Sequence, residues 1–156
     1  MQPQWERRLK QNRNSTRRQS GVTLIEILIV IVIVALIAAL GYPSYMTQVR
    51  RSNRVDAREA LTVLSNDMER FFAANRTYTT DLSSFSMPTS GGVTSSKAGH
   101  YTITAAVGNT GAITSSYTLT AVPDADSIQA GDTACPSLSL DSAGTFLPDP
   151  NASDCW

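Results

Sequence analysis

Gly21-Val22-Thr23-Leu24-Ile25-Glu26-Ile27-Leu28-Ile29-Val30-Ile31-Val32-Ile33-Val34-Ala35-Leu36-Ile37-Ala38-Ala39-Leu40 constrains the architecture of this chain more than any other segment. Its last fourteen residues, Ile27 to Leu40, are apolar without a break. As an α-helix, the segment from Val22 to Tyr42 is about 31 Å long, which matches a hydrocarbon core of roughly 30 Å. A helix that is apolar on every side is a membrane span or a deeply buried core element, not an ordinary surface helix. Arg7, Arg8, Lys10, Arg13, Arg17 and Arg18 precede it, against the single acid Glu6. Six cations in front of an apolar run favour the membrane span. The positive-inside rule then places residues 1–21 in the cytoplasm and the C-terminal body across the membrane.

The whole chain has 156 residues with 13 Lys plus Arg and 13 Asp plus Glu, so its formal charge is zero. That zero adds unlike parts, because residues 22–156 hold seven cations and twelve carboxylates. Such asymmetry marks a targeting or anchoring tail. The length allows one ordinary domain with an appendage. One histidine and two separated cysteines leave no Cys/His metal cluster. No nucleophile–base pair or glycine-rich phosphate loop is readable either, so the chain is expected to be structural rather than enzymatic and to need no cofactor. His100 opens a strand and reads as a surface or edge residue. Asp124, Asp126 and Asp132 suggest calcium at first sight. An EF-hand counted from Asp124 would have Ile128 and Gln129 at its fifth and sixth places, where an oxygen ligand and Gly are required, so a solvated acidic loop is the expectation.

Glu26 does not fit a plain anchor. A carboxylate at the bilayer centre costs roughly 2.5–3.5 kcal/mol on insertion scales, and no Lys or Arg lies between Arg18 and Arg50. Cutting after Gly21 would create a cation, the α-amine of Val22, one helical turn from Glu26 on the same face. That amine would neutralise its own Glu26 or that of a neighbouring chain. Snorkelling of Glu26 to the headgroups is the alternative.

These residues carry a resemblance. Gly21-Val22-Thr23-Leu24-Ile25-Glu26 resembles the processing motif of type IV prepilins, in which Phe usually stands at the place of Val22. The basic leader, the apolar run, Pro43, Tyr45 and Arg51-Ser52 fall where that family has them. The leader is long for the family. The resemblance implies cleavage between Gly21 and Val22 and N-methylation of Val22 by a prepilin peptidase. It also implies storage in membrane lipid, then entry into a filament through the inner-membrane pilus assembly machinery, with other pilin subunits as partners. Glu26 would pair with the terminal amine of an adjacent subunit. The location implied is the bacterial inner membrane, single-pass with the C-terminus periplasmic, and the extracellular pilus after assembly. A secretory signal is the weaker reading of the same segment, because Tyr42-Pro43 follows the small residues at 39–41 and Glu26 interrupts the apolar region.

The expected fold is α+β, the type IV pilin fold. A long N-terminal helix, its first half hydrophobic and its second half amphipathic, packs on a C-terminal antiparallel sheet with a disulfide-closed loop. The divisions are a leader at 1–21, an apolar helix at 22–43, an amphipathic half at 44–76 and a head at 77–156. Together residues 22–75 would form a spine of about 80 Å. Gly41 and Pro43 predict a kink or a locally weak turn, either static or loosening on assembly. Ala57, Leu61, Leu64, Met68 and Phe71/Phe72 recur every three or four residues as one docking stripe. Arg54, Arg58, Asp56, Glu59, Asp67, Glu69 and Arg70 are assigned to the remaining, polar face. Residues 101–107 and 116–122 alternate and flank a turn at 108–111, which predicts a hairpin. Residues 137–140 and 145–147 suggest two further strands around a turn at 141–144. Residues 77–99, rich in Ser, Thr and Gly, read as a long surface loop.

Cys135 and Cys155 enclose 19 residues. On the non-cytoplasmic side a disulfide is expected rather than free thiols, and it matches the stapled C-terminal loop common in pilins. The ending Asp154-Cys155-Trp156, with Tyr117-Thr118-Leu119-Thr120-Ala121 upstream, resembles minor pilins of the PilE type and favours a minor over a major subunit. Two alternatives share the leader and spine: a pseudopilin of type II secretion and a minor pilin that receives DNA during uptake. Charge disfavours DNA capture by the head, since residues 77–156 hold one cation, Lys97, against seven carboxylates. Arg50, Arg51, Arg54 and Arg58, next to the span, suit anionic headgroups or neighbouring subunits.

Overall fold

A computed structural model describes residues 21–90, 93–148 and 155–156. The basic leader, 1–20, lies outside the described residues. Contacts divide the chain into two units, Met1–Leu40 and Gly41–Trp156.

Helix α1 (Leu24–Asn75) belongs to both units. In the first unit its start follows from local chemistry. Thr23 precedes it, and the Glu26 backbone N–H donates to Thr23 Oγ1 at 3.3 Å and to its carbonyl at 3.1 Å. Thr23 with Glu26 three residues later is the spacing of a capping box, and an acidic side chain in the first turn suits the positive end of the helix dipole. Every residue from Leu24 to Leu40 is exposed within this unit. The helix is long and apolar enough to cross a membrane.

In the second unit α1 runs through Pro43. Pro43 has no N–H to donate to the turn before it, and its own carbonyl accepts a second bond, from Thr47 Oγ1 at 3.0 Å. Further on, Ala57, Ala60, Leu61, Leu64 and Met68 are buried as one stripe. Opposite it stands a six-stranded antiparallel sheet in simple sequential order: β1 (Thr89–Ser90), β2 (Val93–Ser95), β3 (Tyr101–Val107), β4 (Tyr117–Pro123), β5 (Leu138–Asp141) and β6 (Phe146–Leu147).

The predicted hairpin is β3–β4. Its register pairs Ile103 with Ala121 and Ala105 with Leu119, and β5 continues with Leu140 opposite Leu119 and Leu138 opposite Ala121. Because side chains alternate across a strand, this register gathers Tyr101, Ile103, Tyr117, Leu119, Ala121, Leu138 and Leu140 on the face that meets the helix stripe. Burying a Leu or Ile of this kind contributes about 1.5–3 kcal/mol. The opposite face presents Thr102, Thr104, Thr118, Thr120 and Ser139. The β3–β4 connection is longer than a tight turn, residues 108–116. It is closed by Gly108 N–H to the Ser116 carbonyl at 3.1 Å. Only Gly fits at 108, since a Cβ there would lie 2.7 Å from Ser116 Cβ and 2.8 Å from the Tyr117 nitrogen.

Residues 77–99 correct the sequence reading, because they are not all loop: they contain β1 and β2, with Leu82 in the core. The inward residues here are polar, so no hydrophobic alternation marks the strands. Thr94 and Ser96 are both buried. Ser96 Oγ donates to Asp56 Oδ2 at 2.5 Å and accepts the Tyr101 N–H at 3.0 Å, which ties this edge to α1 and to the start of β3.

Candidate functional site

Two regions carry residues that packing alone does not account for. The first is the start of α1. Gly21 and Val22 precede the helix and are exposed, Val22 by 66%. The peptide bond between them therefore sits in non-helical backbone. Glu26 is in the first helical turn and also exposed. Val22 is four residues ahead of Glu26, on the near side of the Thr23 cap.

The second region joins the membrane-proximal part of α1 to the segment after β4. A short 3-10 helix, Ile128–Gly131, is capped by Ser127, whose Oγ accepts the Gln129 N–H. The turn delivers Asp132 to Arg54. Arg54 Nε donates to Asp132 Oδ2 at 2.7 Å and Nη2 to Oδ1 at 2.9 Å, a two-point pair with each residue 5% exposed. Gln129 Nε2 donates to the same Oδ2 at 2.8 Å and to the Arg50 carbonyl at 3.2 Å. Arg50 Nε reaches the Ile128 carbonyl at 3.4 Å. Tyr101 is buried beside this cluster, and burial, with the Asp132 carboxylate adding in the same direction, pushes its hydroxyl up to about 12.

Two sequence expectations change. Arg54, expected on the polar face, is buried; its long apolar stem and guanidinium fork are compatible with the stripe once a carboxylate meets the fork. Asp132, expected in a solvated acidic loop, is the partner of Arg54. Asp124 and Asp126 do stay near solvent, with Asp124 Oδ1 accepting the Asp126 N–H at 2.9 Å in a local turn. His100 is half-buried just before β3, with Nδ1 3.0 Å from Ser127 Oγ. Among the described residues, no group of three His, Cys, Asp or Glu is placed to hold a metal ion.

Three residues beyond Asp132, Cys135 is bonded to Cys155, the pair predicted from the compartment; their Cα atoms are 5.7 Å apart. The bond brings the chain's last residues to the helix. Arg58 Nη2 donates to the Cys155 carbonyl at 3.1 Å, and the Arg58 guanidinium lies 5.8 Å from the centre of the Trp156 ring. Trp156 also packs on Phe146 of β6, with ring centres 4.6 Å apart. Arg58, like Arg54, is thus engaged with the head. Pro43 precedes Arg50 of this cluster by seven residues, and Glu26 precedes it by 24. The Arg54–Asp132 pair was missed in the sequence. The available signal was a buried-stripe spacing: Arg54 precedes Ala57 and Leu61 by three and seven residues.

The comparisons with known proteins concern both regions. The family model described as "Type IV minor pilin ComP, DNA uptake sequence receptor" matches residues 43–139. A second, described as "Prokaryotic N-terminal methylation motif", matches residues 16–42. No curated protein matches the chain. A solved type IV pilin from Shewanella oneidensis is similar at 25% identity over 69% of this chain and 97% of its own, with a TM-score of 0.46. Matched by the minor-pilin family over more than half of its length, with the methylation motif immediately before that match, the chain belongs to the type IV minor pilins, structural subunits of the pilus.

Proposed function

We propose that the chain is cut between Gly21 and Val22, methylated on the new Val22 amine, and built into the pilus with Glu26 facing the amine of a neighbouring subunit. The observation that carries this reading is the position of the Gly21–Val22 bond, exposed and outside the capped start of α1. A peptidase needs extended, reachable backbone, and a helix beginning at Leu24 leaves that bond accessible. Once cut, the amine and the Glu26 carboxylate lie within one turn of each other at the same helix end. In lipid each would otherwise remain an unpaired charge. The exposed apolar surface from Ile27 to Leu40 is held in the inner membrane first and then transferred to a helical filament core. Gly41 and Pro43 provide the weak turn between that core and the head. Other pilins, the prepilin peptidase and the assembly machinery are the partners. The test is mass spectrometry of the N-terminus in sheared surface filaments. A chain beginning at methylated Val22 supports the reading, and one beginning at Met1 or after Gly41 overturns it.

A second reading, reception of DNA during uptake, is favoured by the description of the family that matches residues 43–139. Electrostatics oppose it in the head, where Lys97 is the single Lys or Arg among residues 77–156. Affinity for DNA grows with the number of phosphates that Lys and Arg neutralise, and specific binders neutralise several. A gel shift with the full chain in neutral detergent separates the two readings. Binding that is weak and abolished at physiological salt leaves the chain a structural subunit. Tight, sequence-preferring binding at that salt makes it a receptor.

A further inference from the structure

We propose that a notch between α1 and the turn at Gly131–Ala134 binds the phosphate of an anionic phospholipid headgroup while the subunit waits in the membrane. The notch has about 100 Å³ and is lined by Thr47, Arg50, Arg54, Asp132, Thr133 and the backbone at Gly131. That is well below the roughly 300–1,000 Å³ of small-molecule sites, so it suits a group of phosphate size.

Its cation is Arg50. Gly131 sets the pose: a Cβ on it would lie 2.2 Å from Arg50 Nη2 and 2.7 Å from Cζ, so the guanidinium rests directly on glycine backbone. The Arg50 Nε bond to the Ile128 carbonyl holds the other side. Neither Nη nitrogen of Arg50 has an acceptor among the described residues, nor does the Thr133 hydroxyl have a partner, although all belong to residues that wall the notch. The Thr47 hydroxyl donates to Pro43 and only shapes the opening. Asp132 does not repel an incoming phosphate unopposed, because Arg54 and Gln129 hold both its oxygens. With Arg54 holding Asp132, Arg50 is the cation in the notch that faces no carboxylate among the described residues, and Arg matches the geometry of phosphate oxygens.

The position along the chain selects a lipid. Tyr42 and Tyr45, both 65% exposed, follow the apolar run directly and are the kind of ring that sits at headgroup level. Arg50 is five residues beyond Tyr45, about 8 Å of helical rise, within reach of a phosphate in that layer.

The inference rests on the membrane-anchored reading, and one experiment tells their failures apart. The full chain is reconstituted in vesicles of phosphatidylcholine alone and of phosphatidylcholine with phosphatidylglycerol. Flotation with the first vesicles reports anchoring, and its failure overturns the anchored reading and the lipid site with it. The lipid retained after mild detergent extraction reports the notch. Phosphatidylglycerol should be enriched over its share by roughly fivefold, the effect of one well-placed cation. Above the background that the leader's cations give, Arg50→Gln should remove the enrichment. Gly131→Ala should also remove most of it while leaving every charge in place, because only the mobile end of Arg50 must move. Arg70→Gln, an equal loss of charge at an exposed site, should leave it unchanged. The leader's cations are common to all variants. Equal enrichment in the wild type, Arg50→Gln and Gly131→Ala chains overturns the proposal. Stripping of the lipid by excess inorganic phosphate makes the notch a free-phosphate site, and stripping by duplex DNA makes it a nucleic-acid contact. Either result overturns the lipid assignment.

Discussion

Arg54 and Asp132, 78 residues apart in sequence, meet through two hydrogen bonds of 2.7 and 2.9 Å inside the head. The pair joins the membrane-proximal part of α1 to the segment that leads into the disulfide. Its charges are withdrawn from water, so its net contribution depends on both partners being present. Gln129 completes the carboxylate's bonding and at the same time fastens the turn to the Arg50 carbonyl.

Removing one partner should therefore cost more than removing both. Asp132→Leu leaves a buried guanidinium and is expected to destabilise the head by about 3–5 kcal/mol. Arg54→Met with Asp132→Leu should lose markedly less than the sum of the single changes. Urea denaturation of the four chains in detergent, read as a double-mutant cycle, measures the coupling; additive losses would show that the two residues are not energetically linked.

The Cys135–Cys155 bond closes a loop with a sequence separation of 20. Chain-entropy reasoning assigns such a loop about 3 kcal/mol. Cys135→Ser with Cys155→Ser should lower the denaturation midpoint accordingly. It should also free Trp156 from Arg58 and Phe146, which a red shift in tryptophan emission would report. The pilin should then become less resistant to unfolding without losing its sheet, because β3–β4 pairing does not depend on the bond.

Tyr101 makes stability pH-dependent in the alkaline range. Its hydroxyl titrates near 12 in the folded chain and near 10 when unfolded. Below pH 10 both states are protonated and the full stability is present. As pH rises from 10 to 12 the unfolded state ionises first, so stability falls, by no more than about 3 kcal/mol. Tyr101→Phe should flatten this part of the profile, and an unchanged slope would mean another group carries it. Tyr117, also raised mainly by burial, adds in the same direction.

Gly108→Ala should destabilise the β3–β4 connection, since the new methyl meets Ser116 Cβ and the Tyr117 backbone at under 3 Å. Forcing that contact apart costs on the order of 1–3 kcal/mol. Gly111→Ala provides a comparison: its surroundings are open, and only its φ of 76° opposes a side chain, at about 1 kcal/mol. Thermal melts of both variants should rank them in that order.

Part of this architecture was legible because its signals are local. The apolar run beginning at Ile27 admits few environments, the stripe from Ala57 to Met68 repeats at helical spacing, and the alternation from Tyr101 to Val107 has the period of a strand. The disulfide followed from compartment. β1 and β2 were not legible, because the buried side chains there, Thr94 in β2 and Ser96 just after it, are polar, and Ser96 is satisfied by the Asp56 carboxylate on α1. Nor was Asp132, whose neighbours in sequence are ordinary loop residues.

The composition of the long helix and its fitness for lipid were readable from the chain, since the cost of moving apolar or charged groups between water and lipid accrues residue by residue. Which polar residues became internal depended on the packed head. Arg54 was a surface cation until the turn at Ile128–Gly131 brought a carboxylate to it. Arg50 acquired a fixed pose only because the residue opposite is Gly131. Both depend on segments about eighty residues apart meeting in direct contact, and no local pattern encodes that meeting.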